Sequence, residues 1–73
     1  MKIGIIGLGF VGLSFASVLA SKGHSVIGVD SDERKVSSIN GGVTPFYEPR
    51  LDIVLKKALK KELTITTDLS LAV

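Results

Sequence analysis

The hexapeptide Gly7-Leu8-Gly9-Phe10-Val11-Gly12 stands directly between a short apolar run and an amphipathic stretch, and it restricts this chain more than any other feature. Each glycine has its own task in a strand-to-helix turn. Gly7 makes the tight turn off the strand, Gly9 lets a ligand approach the backbone, and Gly12 lets the helix lie close on the strand. Backbone amides near Phe10 and Val11 then face outward at the positive end of the helix dipole, where anions bind. Alone, such a hexapeptide is a weak signal that a merely tight turn could also produce. Its setting has to confirm it.

That setting is an alternation of strands and helices. Lys2 to Gly7 sends Ile3, Ile5 and Ile6 toward both faces, the pattern of a strand buried on both sides of a parallel sheet. From Val11 to about Lys22, the residues Val11, Phe15, Val18 and Leu19 recur at helical spacing, with Ala16 and Ala20 small enough to approach a sheet closely, and Gly23 ends the helix. Ser25 to Val29 is a second β-branched run, stopping at Asp30. Ser31-Asp32-Glu33 opens a second helix that turns Val36 and Ile39 inward and stops at Asn40-Gly41-Gly42. After a loop with Pro45, Glu48-Pro49 opens a third helix marked by Leu51, Val54, Leu55, Ala58 and Leu59, and Leu63 to Thr67 reads as the third strand. This predicts an α/β chain: a partial Rossmann fold, with a three-stranded parallel sheet in the order 3-2-1 and right-handed crossover helices. Strand 1 would keep an uncovered edge although it is apolar on both faces. Residues 1–73 are therefore expected to be an N-terminal fragment of a dinucleotide-binding domain, truncated before strand 4 and prone to self-association through the open edge of strand 1.

The acid after strand 2 gives the loop its meaning. Asp30 follows Gly12 by eighteen positions, near the spacing at which a carboxylate accepts hydrogen bonds from an adenosine ribose. It would also repel a 2′-phosphate, which favours NAD over NADP. A plain helix cap is the alternative, since Asp30 and Glu33 have capping-box spacing. Arg34 and Lys35 pull the other way, because cations after strand 2 can hold a 2′-phosphate.

Composition removes other classes of function. With no cysteine among its 73 residues, the chain has no disulfide, thiolate metal site or thiol nucleophile. The start Met1-Lys2-Ile3 lacks the form of a signal peptide, and no apolar run reaches the roughly 18 residues of a membrane span, so a soluble, cytoplasmic chain is expected. The net charge of +2 comes mostly from Lys56, Lys57, Lys60 and Lys61, which read as a solvated helix face. No aromatic residue interleaves them to stack bases, so nucleic acid is not an expected partner.

Taken whole, Met1 to Leu13 resembles the N-terminus of the UDP-glucose/GDP-mannose dehydrogenase family. So does Asn40-Gly41-Gly42-Val43-Thr44-Pro45-Phe46-Tyr47-Glu48-Pro49-Arg50-Leu51, which is similar to that family's asparagine, glycine, proline and Glu-Pro-Gly-Leu stretch. Thr66-Thr67-Asp68 followed by Ala72-Val73 looks like its third strand and exit. The resemblance implies an NAD-dependent enzyme that oxidises the C6 hydroxyl of a nucleotide sugar to a carboxylate. It implies cofactor contacts at Gly7, Leu8, Gly9, Phe10, Val11, Gly12 and Asp30, and adds Lys35, which by itself reads as an exposed helix lysine. Arg50 departs from the family's glycine, a change that a first helical turn tolerates. Glu48 suits a helix start, His24 a turn, and neither Ser14 nor Tyr47 has a recognisable base, so no catalytic residue is assigned and a lone chain is expected to be inactive. A β-hydroxyacid or 6-phosphogluconate type of dehydrogenase, and a regulatory NAD-sensing domain of a transport system, are the alternatives.

Overall fold

In the computed structural model, which describes residues 2–44, 46 and 48–72, strand β2 (Ser25–Val29) lies between β1 (Lys2–Ile6) and β3 (Leu63–Thr66), all parallel. The register places Ile3 beside Val26 and Val26 beside Leu63, then Ile5 beside Gly28 and Gly28 beside Ile65. Side chains alternate along a strand, so these residues share one face. The core forms on it, from Val26, Leu63 and Ile65 with Leu13, Ala16 and Ala20 of α1 (Phe10–Ser21), Val36 and Ile39 of α2 (Glu33–Asn40), and Leu51, Leu55 and Ala58 of α3 (Pro49–Leu59). Right-handed crossovers that all step in one direction across the sheet put their helices on one side.

The opposite face carries Gly4, Ile27 and Val29 and is crossed by a 3-10 turn, Leu69–Ala72. A methyl group at Gly4 would come within 2.8 Å of the Ala72 carbonyl oxygen. The last stretch of described chain therefore returns under the sheet it has just left.

Two expectations need correction. The stripe Val11, Phe15, Val18 is not the packed face of α1: Val11 is 75% and Phe15 60% exposed, and Val18 is exposed as well. The helix buries Ala16 and Ala20, the small residues expected to approach the sheet, together with Leu13 and Ser17, and Leu19 is half-buried. Its rotation is set at the first turn, where Gly12 presses against Gly7, and that contact turns the small residues toward the sheet. A helix that is apolar nearly all round gives hydrophobic periodicity little to distinguish its faces. The second correction concerns the burial of β1: it lies at the edge of the sheet among the described residues, where the order 3-2-1 places it, but its apolar residues are not buried on both sides, with Ile6 69% exposed. The other edge is treated differently, because Asn40 Nδ2 donates to the Ile65 carbonyl oxygen at 3.1 Å on the outer side of β3.

The helix starts follow local chemistry. Asp32 caps α2, accepting from the amides of Arg34 (3.0 Å) and Lys35 (3.1 Å). Glu48 caps α3 by accepting from the Arg50 amide at 3.1 Å, with Pro49 at the first helical position. Arg50 itself is exposed, as a tolerated first-turn substitution requires.

Candidate functional site

The β1–α1 turn is built by the three glycines, for three different reasons. Gly7 has φ +91°, a left-handed conformation that side chains disfavour, and its amide donates to the Val29 carbonyl at 2.8 Å. At Gly12 a methyl group would collide with the Gly7 carbonyl oxygen. Gly9 has neither constraint: its φ of −68° suits any residue, and a methyl group there would meet none of the described residues within 4 Å. Backbone conformation explains Gly7 and packing explains Gly12, but among the described residues neither explains Gly9.

Gly9 is also the N-cap of α1, with no side-chain cap and no acid in the first turn. The first bond of the helical ladder runs from the Leu13 amide to the Gly9 carbonyl at 2.9 Å, so the amides of Phe10, Val11 and Gly12 stand outside it. Three donors and the positive end of the helix thus converge on the side where Gly9 presents only backbone.

Asp30 follows β2 directly and is held in place by three donors. Its Oδ1 accepts from the Asp32 amide at 2.9 Å, and its Oδ2 accepts from the Leu8 amide at 2.9 Å and from Lys35 Nζ at 3.1 Å. The Asp32 amide foremost, then the Leu8 amide, and to a lesser degree the Lys35 ammonium, hold the carboxyl below its ordinary range against the opposing effect of partial burial. It is an anion at neutral pH. With the side chain only 11% exposed, the carboxylate is anchored to both the glycine loop and α2. Because Asp32 occupies the N-cap of α2, the plain-cap reading of Asp30 does not hold.

An open cleft of about 270 Å³ lies at the carboxyl ends of the strands, lined by Ile6, Gly7, Val29, Asp30, Ser31, Thr67 and Leu69. In parallel α/β sheets ligands bind at this end. The structure thus brings Gly7 and Asp30 together, sets Lys35 on Asp30, and places Gly9, Phe10 and Val11 at the adjoining helix start. Leu8 contributes only through its backbone, since its side chain is fully buried against Gly28 and its amide is given to Asp30. Sequence spacing does not mark Ser31, Thr67 and Leu69 as cleft residues. The Thr66-Thr67 end of the third strand was the available signal, because a strand end beside Asp30 must face the same cleft.

The remaining candidates stay apart from the cleft. His24 sits in the α1–β2 turn, its amide donating to the Leu19 carbonyl at 3.2 Å, and Ser14 donates to the Phe10 carbonyl at 2.7 Å within its own helix. Tyr47 and Pro45 lie outside the described residues. Among the described residues no three His, Cys, Asp or Glu side chains gather as a metal site, and no helix is long and apolar enough to cross a membrane.

Comparison with known proteins agrees with this geometry. Residues 1–73 match the family model described as the NAD binding domain of the UDP-glucose/GDP-mannose dehydrogenase family. UDP-glucose 6-dehydrogenase TuaD of Bacillus subtilis is 44% identical over 99% of this chain and 16% of its own length. GDP-mannose 6-dehydrogenase of Pseudomonas syringae is 43% identical over 100% of this chain and 17% of its own. The crystal structure of a ternary complex of GDP-mannose dehydrogenase from Pseudomonas aeruginosa superposes with a TM-score of 0.93 at 43% identity, covering all of this chain and 17% of that one. The chain therefore spans about one sixth of the length of these relatives.

Proposed function

The chain belongs to the UDP-glucose/GDP-mannose dehydrogenase family through its NAD binding domain, and from that premise we propose that it holds the adenosine and pyrophosphate of NAD for a nucleotide-sugar 6-dehydrogenase. In this reading the pyrophosphate lies over Gly9 and accepts from the amides of Phe10, Val11 and Gly12. Asp30 accepts from the ribose hydroxyls, Gly7 shapes the turn, and Leu8 and Lys35 keep the Asp30 carboxylate in position. The observation that carries it is Gly9, a glycine that the packing of the described residues does not require, placed where three helix-start amides converge.

NAD, not NADP, fits the acid. A phosphate about 4 Å from the Asp30 carboxylate would be repelled by around 4 kcal/mol at an effective dielectric of 20. Lys35 does not offset this freely, because its ammonium is already paired with Asp30. Once bound, NAD supplies the hydride acceptor. Oxidation of a sugar C6 hydroxyl to a carboxylate is then the activity of a protein of the relatives' full length. A cytoplasmic setting, where NAD is at hand, goes with this reading.

Titration of the chain with NAD and NADP, followed by calorimetry, tests it. NAD should bind more tightly, and Asp30→Ala should weaken NAD binding about tenfold or more through loss of hydrogen bonds to a charged acceptor. Tighter NADP binding, or unchanged NAD affinity in Asp30→Ala, would defeat the assignment.

The edge position of β1 favours a second feature. We propose that the chain self-associates through this edge, where Ile6 is exposed, as are Val11, Phe15 and Val18 of α1.

A further inference from the structure

An aromatic contact joins the glycine loop to a segment that the cofactor reading leaves unused. Phe10 opens α1, and Phe46 lies in the link between α2 and α3. Their ring centroids are 5.5 Å apart with planes at 86°, the edge-to-face arrangement that aromatic pairs favour. Phe46 is fastened on its own side. Its carbonyl accepts from the Glu48 amide at 2.8 Å and from Thr44 Oγ1 at 2.8 Å. The single Thr44 hydroxyl proton is shared with Asp52 Oδ1, 2.7 Å away, which also accepts from the Thr44 amide at 3.3 Å. Glu48 is the N-cap of α3 and Asp52 lies in its first turn, so the link is tied to a helix anchored in the core by Leu51 and Leu55. The Phe46 ring packs on that core. Phe10 is 48% exposed, so the better-held ring is that of Phe46.

We propose that Phe46 is a positioning residue for the glycine loop: its ring holds the Phe10 side chain in one orientation, and with it the first turn of α1 that presents amides to the pyrophosphate. The functional part rests on the NAD reading above. Two substitutions in the full chain separate positioning from mere packing, since Phe46→Leu keeps apolar bulk without the ring and Phe46→Tyr keeps the ring.

In ligand-free protein, Phe46→Leu should shift the amide resonances of Gly9 to Gly12 and let the Phe10 side chain average between rotamers, while Phe46→Tyr leaves both as in the parent. In NAD titrations, Phe46→Leu and Phe10→Leu should each weaken binding about threefold to tenfold, the range an aromatic pair supports, and the double variant should be no weaker than the weaker single. Unmoved loop amides in Phe46→Leu overturn the proposal, as do additive losses in a chain that binds NAD. A parent chain that fails to bind NAD, while Phe46→Leu still moves the loop amides, defeats the cofactor reading and supports the positioning role.

Discussion

A methyl group added at two glycines three residues apart should have opposite consequences. Gly9→Ala introduces a side chain into a conformation that accepts one, with no described neighbour within 4 Å, so folding stability should change by no more than about 0.5 kcal/mol, the freedom lost by the unfolded chain offsetting alanine's poorer fit to an N-cap. NAD affinity should nevertheless fall about tenfold or more, because the methyl group occupies the approach to amides whose bonds to a charged acceptor are worth about 1.5–3 kcal/mol each. Gly12→Ala drives a methyl group against the Gly7 carbonyl oxygen and should destabilise the fold by about 1–3 kcal/mol. Urea unfolding with NAD titration of each variant checks the pair, and equal binding by Gly9→Ala and the parent would remove the main support for the site. The three glycines were legible in the sequence because each omits an atom at a fixed spacing. That Gly9 alone has neither a backbone nor a packing reason among the described residues became visible only with its surroundings. Asp30 was legible by its distance from Gly12, whereas the choice of Asp32 as helix cap depended on where the backbone turns after β2.

At the scale of elements, α1 shows where pattern reading stops. Val11, Phe15 and Val18 form an apolar stripe at helical spacing, yet the sheet receives Leu13, Ala16, Ser17 and Ala20. Both faces satisfy the periodicity, and the close approach at Gly12 selects between them. One consequence is a buried hydroxyl: Ser17 Oγ has no hydrogen-bond partner among the described residues. Ser17→Ala removes an unsatisfied polar group and improves helix propensity, so it should raise unfolding free energy by about 1 kcal/mol. Phe15→Gln, on the exposed stripe, should change stability by no more than about 0.5 kcal/mol. Thermal or urea unfolding separates these outcomes from the reverse ranking, which the packing of Phe15 against the sheet would produce. The second and third helices were better marked, because a cap, a proline and a charged outer face distinguish their ends and their sides.

Across the whole molecule, the two sheet edges differ in how they are protected. Asn40 covers β3 from the end of α2, while β1 has no strand on its far side among the described residues and leaves Ile6 exposed. Light scattering over a concentration series should show association that Ile6→Lys reduces, since an edge charge opposes strand addition. A monomer at all concentrations would refute pairing through β1. By itself the sequence determined the order of strands and helices, the glycine turn and the acid that follows β2, because these depend on residue types at short spacings. It also carried the family, in the stretch from Asn40 to Leu51. Tertiary structure alone decided which face of α1 is buried, which acid caps α2, how little of β1 is covered and which aromatic ring meets Phe10. Those choices are made by contacts that exist only once the chain has packed, where a helix can satisfy its own periodicity in more than one rotation and only packing selects one.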